Sequence, residues 1–299
     1  MKPAVLLVAH GTVDTLDDLP EFLANVRRGH AAPPELLAEV RRRYQAIGGI
    51  SPLNQINREV AAKLQDLLGV PVRMSNRLAR PYARDVLENL VVDGATRVVV
   101  IPLAQHSAHI YADYVKAFAA EVAPNVAFSY APSWGQDPAL LDAFARRVRA
   151  ALAKVPPSTT TVVLTAHSLP VSVVRAGDPY EREVIESAAK ITGRLDGART
   201  MVAFQSQGMS TPGGRPIEWL GPDLPTTFDA IAARGDTHVV IAAIGFLADH
   251  VEVLYDLDIE AKEQARARGL TLSRTESLND ADDFVAVLAG VARPLLESA

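Results

Sequence analysis

A chain of 299 residues with no cysteine can form no disulfide, thiolate metal site, cysteine-ligated iron–sulfur cluster or cysteine nucleophile. Its hydrophobic content of 48% and its length allow a large core and two domains of ordinary size, which excludes a disordered chain. A net charge of −5 argues against nucleic acid as the main partner, although a local basic patch can still bind a small anion.

Residues 1–9 are apolar enough to resemble a leader peptide, but they lack a cleavage-like end and run straight into His10-Gly-Thr12. Residues 5–9 are therefore read as a first buried strand. A helix is predicted at 34–47 and another at 83–92, then a strand at 98–103. Proline and glycine cluster at 132–138, which predicts a linker. Beyond it come a helix at 138–154, a strand at 162–165, helices at 180–195 and 226–233, and a strand at 239–244. Short apolar strands alternating with helices predict an α/β chain with buried parallel sheets. The longest apolar run, 239–248, is far short of the ~20 residues that cross a membrane. No membrane span is expected, peripheral contact stays open, and the expected location is cytoplasmic.

The two halves resemble each other. Val5-Leu-Leu-Val-Ala-His-Gly matches Val162-Val-Leu-Thr-Ala-His-Ser and pairs His10 with His167. Gly94-Ala-Thr-Arg-Val-Val-Val-Ile-Pro-Leu matches Gly235-Asp-Thr-His-Val-Val-Ile-Ala-Ala-Ile, and carrying that register forward pairs His109 with His250. Four of the seven histidines thus fall just past apolar strands, where open α/β sheets bind ligands. The division predicted is residues 1–133 and residues 134–299.

Several groups carry candidate chemistry. After the strand at 239–244, Glu252, Asp256 and Glu260 follow at steps of four. On a regular helix they share one face, where like charges cost a few tenths of a kcal/mol per pair. With His250 beside it, such a stripe points to proton or metal handling, the alternative being a solvated helix face. His167, in Thr165-Ala-His-Ser-Leu-Pro170, suits proton transfer near neutrality; the alternative is a capping or packing histidine. His10 reads as a metal ligand, a proton carrier or a turn residue. His106 and His109 stand three apart in Gln105-His-Ser-Ala-His-Ile-Tyr111, read as a loop, with no third ligand near in sequence. Arg27-Arg28 and Arg41-Arg42-Arg43-Tyr44 form a basic cluster able to hold carboxylates, although Arg41 and Arg42 suit a solvated helix face. Gly48-Gly-Ile-Ser-Pro52 is a tight turn able to approach a planar ligand, and Gly213-Gly214 reads as a surface loop. Trp219 is either a pocket wall or core. His30 and His238 read as surface residues. No dinucleotide fingerprint, phosphate loop, Gly-x-Ser-x-Gly elbow or His-Glu-x-x-His pair is present.

The whole chain resembles the ferrochelatases, and most closely their short bacterial type that acts on coproporphyrin. The resemblance is carried in order by Val26-Arg-Arg-Gly-His30, Tyr44-Gln-Ala-Ile-Gly-Gly-Ile-Ser-Pro-Leu53, Ala166-His-Ser-Leu-Pro170, Gly177-Asp-Pro-Tyr180, Phe204-Gln-Ser206, Trp219-Leu-Gly-Pro222, Gly245-Phe-Leu-Ala-Asp-His-Val-Glu-Val-Leu-Tyr255 and Glu276-Ser-Leu-Asn279. It implies two similar Rossmann-like, chelatase-type domains with a porphyrin cleft between them, and insertion of ferrous iron into a porphyrin in haem synthesis. Porphyrin and ferrous iron are then substrates, and no tightly bound cofactor is required. His167 would accept pyrrole protons or touch the metal, with Glu252 as its acidic partner across the cleft. Asp256 and Glu260 would continue a hydrated path for metal or protons, on a helix that the family widens toward π geometry. Arg27, Tyr44 and Ser51 match residues that hold propionates or line the cleft, and Trp219 is placed with them.

The departures are informative. His10 stands where relatives of the short bacterial type carry a tyrosine able to meet the iron of product haem, and imidazole is a good ligand for such metals. That position is also similar to the amino-terminal histidine of small cobalt and nickel chelatases. Residues 207–217 make a longer loop than expected. Residues 19–36 lack the apolar lip of membrane-bound relatives, and Arg27, Arg28 and His30 suit the four carboxylates of coproporphyrin III better than the two of protoporphyrin IX. The rival expectations are a cobalt or nickel chelatase acting on a corrinoid or sirohaem precursor, and a non-catalytic haem-binding protein. Nothing in the sequence identifies a protein partner.

Overall fold

The computed structural model describes residues 2–208 and 217–298. The chain forms two compact units. The first comprises Met1–Trp134, Ala248–Val251 and Asn279–Ala299; the second comprises Gly135–Leu247 and Glu252–Leu278. The change at Trp134 falls within the proline- and glycine-rich stretch 132–138. The sequence division gave all of 134–299 to the second half, whereas Trp134, Ala248–Val251 and the last twenty-one residues join the first unit.

In the first unit β1 (Pro3–Ala9), β2 (Val72–Asn76), β3 (Arg97–Pro102) and β4 (Ala127–Tyr130) form a parallel sheet in the order β2-β1-β3-β4. Ala4 to Ala9 are all buried. A parallel strand covered on both faces has no solvated side, so its sequence runs apolar without alternation. The connecting helices are α1 (Leu19–Val26), α2 (Pro34–Ala46), α3 (Leu53–Leu68), α4 (Ala83–Val92) and α5 (Ala108–Val122). Leu6, Val8, Val98 and Val100 pack with Leu87, Leu90, Val115 and Phe118 in one apolar cluster. The C-terminal helix Asp282–Glu297 packs against α3 and β3. Buried Arg97 donates from its guanidinium to the Leu295 and Leu296 carbonyls at 2.6 and 3.1 Å. Those carbonyls lie in a last turn with no intrahelical donors, so β3 anchors this helix to the first unit.

In the second unit β5 (Thr160–His167), β6 (Thr200–Gln205), β7 (His238–Ala242) and β8 (Thr271–Arg274) repeat the pattern, in the order β6-β5-β7-β8 and again parallel. The helices are α6 (Pro138–Leu152), α7 (Val171–Arg175), α8 (Tyr180–Thr192), α9 (Leu224–Ala233), α10 (Val251–Leu254) and α11 (Lys262–Arg266), followed in the chain by the C-terminal α12. Between α10 and α11 runs a π-helical stretch, Asp256–Ala261. Asp137 caps α6 by accepting from the Ala139 and Leu140 amides, and Asp223 caps α9 by accepting from the Thr226 amide. Val163, Phe228, Ile231, Val239, Ile241 and Leu257 share the core.

Two parallel sheets flanked by helices match the predicted class, and β1 and β3 of one unit stand where β5 and β7 stand in the other. The segment 105–111 is not all loop: α5 begins at Ala108. Its first turn, Ala-His-Ile-Tyr, is poor in strong helix formers, and packing of Tyr111 and Val115 overrides that weak local preference. Gly213 and Gly214, and most of the 207–217 loop, lie outside the described residues. Among the described residues no helix is long and apolar enough to cross a membrane.

Candidate active site

The last residue of β5 is His167, which pairs in register with Gln205, the last residue of β6. On its other side β5 pairs with β7. The turn leaving β7 folds back over the end of β5, where the Gly245 amide donates to the Thr165 carbonyl at 3.0 Å. A Cβ on Gly245 would lie 2.6 Å from the Ala166 Cβ and 2.7 Å from its Cα, so only glycine permits the crossing. The crossing delivers α10, and Glu252 Oε2 comes to 3.0 Å from His167 Nδ1. The two side chains are 34% and 35% exposed.

The sequence expectation set these groups on opposite sides of a slot. They belong instead to one unit and touch directly. The reason is topological: β5 and β7 are parallel neighbours, so the segments leaving their carboxyl ends are neighbours too.

Other groups fix the pair. Buried Tyr180 donates its hydroxyl to the His167 carbonyl at 2.9 Å, and Gln205 Nε2 donates to the Glu252 carbonyl at 3.0 Å. Ser206 donates its hydroxyl to Asp256, which is buried at the start of the π-helical stretch. Burial alone pulls the His167 ring toward its neutral form. The Glu252 charge and hydrogen bond, with the Asp256 charge behind them, outweigh burial and hold the ring above its ordinary pKa. With Nδ1–H donated to a carboxylate, Nε2 is the nitrogen that takes up a proton. The contact thus raises the proton affinity of an imidazole at a sheet's carboxyl end.

The acidic stripe is regular in sequence and irregular in space. The Glu260 amide donates to the Tyr255 carbonyl five residues back, at 3.0 Å, which is the widened geometry the resemblance implied. Asp258 is taken by Arg274 at 2.7 Å and by Lys262 at 3.3 Å, whereas Glu260 is half-buried on the same stretch. Among the described residues no three His, Asp or Glu side chains are grouped closely enough to hold a metal ion by themselves.

The first unit holds a counterpart. His10, exposed just past β1, places Nδ1 3.3 Å from the Tyr111 hydroxyl, and Phe22 meets its ring edge-on at 6.2 Å. Since the repeat pairs His109 with His250, Tyr111 is the equivalent of Glu252, and the His10–Tyr111 contact repeats the His167–Glu252 contact. The remaining histidines play other parts. His106 is buried, and burial pushes its pKa down to about 4. His109 is half-buried in the first turn of α5, and His250 donates Nδ1–H to the Ala248 carbonyl at 3.0 Å. Asp249 is held by Asn279, amide to side chain at 2.8 Å and side chain to side chain at 3.1 Å.

Three of the predicted substrate contacts share a property. Arg27 Nε, Ser51 Oγ and Trp219 Nε1 are each buried without a hydrogen-bond partner among the described residues. Arg27 closes α1, before exposed Arg28 and His30. Ser51 follows the turn in which Gly48 and Gly49 take φ values of 102° and 94°. Trp219 pairs across a β-bridge with Pro170, three residues beyond His167, and its ring rests where a Cβ on Gly208 would intrude to 2.9 Å. Tyr44 is 1% exposed, with its hydroxyl 2.7 Å from Thr12 Oγ1, and it packs with Val13 and Leu19. Arg42 and Arg43 are drawn to Glu39, whose carboxyl they hold down near a pKa of about 2. Sequence reasoning gave no role to Tyr180, Gln205 or Ser206, although 177–180 and 204–206 were among the resembling segments.

The ferrochelatase family profile matches residues 2–295. The chain belongs to the ferrochelatase family. Members of this family are lyases that insert iron into a porphyrin in haem synthesis, and the chain is an enzyme of that kind. It is 38% identical to the ferrochelatase of Acidobacterium capsulatum, over 99% of this chain and 95% of that one. It is 34% identical to the coproporphyrin III ferrochelatase of Geobacillus kaustophilus, over 96% and 94%. Among solved structures, SirB from Bacillus subtilis with Fe3+ shares the fold at a TM-score of 0.62 and 18% identity, covering 99% of this chain and 96% of that one. CbiX, from siroheme biosynthesis in denitrifying bacteria, aligns at a TM-score of 0.55 and 19% identity, over 97% and 98%. This ferrochelatase therefore shares its fold with chelatases of different sequence.

Proposed function

We propose that this ferrochelatase inserts ferrous iron into coproporphyrin III, with His167 as the proton acceptor and Glu252 as the group that holds its charge. The reaction exchanges two pyrrole N–H protons for one divalent metal and changes no oxidation state. It therefore needs a base and a bent macrocycle rather than a resident redox group. The observation that carries the reading is the 3.0 Å His167–Glu252 contact at the end of β5, together with the raised proton affinity it causes. His167 Nε2 takes a pyrrole proton, Glu252 stabilises the imidazolium, and Asp256 and Glu260 draw cations or pass protons along the π-helical stretch. His167 and Glu252 are also available to the metal as it enters. His10 is assigned as a ligand to the iron, through an imidazole that carries no proton on the ligating nitrogen.

The choice of coproporphyrin III is supported by the relatives that bear its name, at 31–34% identity over 96% or more of this chain. It is also supported by Arg27 and Ser51, whose buried donor atoms call for an acceptor such as a carboxylate. Trp219 offers the same property beside the His167 loop, and Tyr44 stiffens the wall behind Thr12. The cytoplasm is the location assumed in this reading.

The test is anaerobic ferrous-iron insertion into coproporphyrin III and protoporphyrin IX side by side, with cobalt and nickel as competing metals. Coproporphyrin III with iron is expected to turn over fastest. His167→Ala is expected to abolish insertion while porphyrin still binds. A fully active His167→Ala chain would refute the proton-acceptor assignment, and faster turnover of protoporphyrin IX would refute the choice of substrate.

A further inference from the structure

Ser206 takes a φ of +59°, in the left-handed region. Arg28, Asp196 and Asn279 do so too among the described non-glycine residues. Aspartate and asparagine tolerate that region because their short polar side chains bond locally; serine has no such preference. A strained residue of this kind persists where the surrounding structure fixes it, and such positions gather at functional sites.

What fixes Ser206 is its hydrogen bond to Asp256 and its place next to Gln205. Gln205 closes β6 opposite His167 and sends its side-chain amide to the Glu252 carbonyl. Successive side chains of an extended strand point to opposite faces. If β6 continued as a strand, the Ser206 hydroxyl would turn away from that helix. The left-handed turn breaks the alternation, and Ser206 donates to Asp256, four residues beyond Glu252 on the same segment. Two consecutive residues at one strand end thus hold the backbone of Glu252 and the carboxylate of Asp256. Asp256 is buried, and its charge reaches His167.

Resting on the proposed reaction, we infer that Ser206 is a positioning residue for metal insertion: its hydroxyl, aimed by a left-handed backbone, holds the Asp256 carboxylate beside the His167–Glu252 pair. Strain at residue 206 is stored to place a charge, and it is not required for folding. Stability and turnover are therefore expected to separate when this residue is changed.

The full chain and its Ser206→Gly, Ser206→Ala and Ser206→Asn variants test this. Thermal midpoint, porphyrin binding by fluorescence, and kcat and KM for ferrous-iron insertion are measured for each. Ser206→Gly is expected to keep the wild-type midpoint or exceed it, since glycine takes the left-handed conformation freely. Its kcat is expected to fall roughly tenfold, the loss of one hydrogen bond to a charged group, with porphyrin binding unchanged. Ser206→Ala is expected to lose both midpoint and kcat. Ser206→Asn keeps a donor and tolerates the backbone, so it is expected to recover most of the lost kcat. A Ser206→Gly chain with wild-type kcat, or a Ser206→Asn chain no better than Ser206→Gly, overturns the assignment. A wild-type chain that inserts iron into neither porphyrin overturns the proposed reaction itself, and this inference with it.

Discussion

A carboxylate 3.0 Å from an imidazole nitrogen works against burial, and in His167 the carboxylate wins. His106 shows the other outcome: burial pushes its pKa down to about 4 and keeps it neutral. The difference leaves one histidine with a raised proton affinity while the other stays a packed, neutral ring. A base works only when unprotonated, so with His167 as the proposed base the rate of insertion is expected to rise with pH as His167 loses its proton. Because Glu252 raises that pKa, the rise is expected above the ordinary histidine value of about 6.5. Glu252→Gln removes the charge and keeps the shape. The rising limb of the pH–rate profile then moves to lower pH, and the plateau falls by on the order of a hundredfold, a typical contribution for an acid–base group. A limb that stays in place means that some other group titrates. Each residue of the pair was legible on its own, His167 as a strand-terminal imidazole and Glu252 as the first carboxylate of a stripe. Their partnership was legible only through the resemblance, which set it across a cleft; the direct contact depends on which strands lie side by side, and no local pattern encodes that pairing.

Elements near the site depend on one close crossing. Gly245 passes so near Ala166 that an added methyl group would overlap both its Cα and its Cβ. One of those atoms is backbone, so no side-chain rotation relieves the clash. Gly245→Ala is expected to destabilise the protein by about 1–3 kcal/mol, the usual range for overpacking. It should also push α10 away from β5 and lengthen the His167–Glu252 contact. Insertion is then expected to fall well below what the remaining folded fraction accounts for, as measured by circular dichroism and activity on the same sample. Wild-type stability and rate in that variant would show that the turn yields freely. At this scale the sequence was legible where strands are central. β1, β3, β5 and β7 are inner strands with mostly apolar sequences, and all four were expected. β2, β4, β6 and β8, the sheet edges, went unread. Edge strands such as Ala127–Tyr130 and Thr271–Arg274 keep one side open, so their short mixed sequences lack a buried strand's signature. The π-helical stretch was legible only through the resemblance, since steps of four in sequence fit an ordinary helix as well.

Over the whole molecule the same strand order occurs twice, and so does a histidine at the end of each unit's first strand. The copies have diverged in the partner. His167 meets a carboxylate, whereas His10 meets the Tyr111 phenol at 3.3 Å. A phenol is uncharged near neutral pH, so it orients an imidazole without adding the negative charge that raises the proton affinity of His167. The internal repeat was legible because both matches fall on inner strands and carry their histidines with them. The division into units was less so: the C-terminal helix belongs to the first unit through Arg97, a contact between residues about two hundred apart that no local pattern marks. An oriented imidazole beside a neutral partner is suited to ligate ferrous iron rather than to carry protons. His10→Tyr is therefore expected to retain iron insertion while changing the absorption spectrum of the bound product, since phenolate oxygen replaces imidazole nitrogen at the metal. His10→Ala should change that spectrum in a different direction, with no protein ligand from this position. Tyr111→Phe should broaden it, because the ring loses the hydroxyl that orients it. Spectra identical to the wild type in all three variants would remove His10 from the iron and leave the first unit's pair with a structural role only.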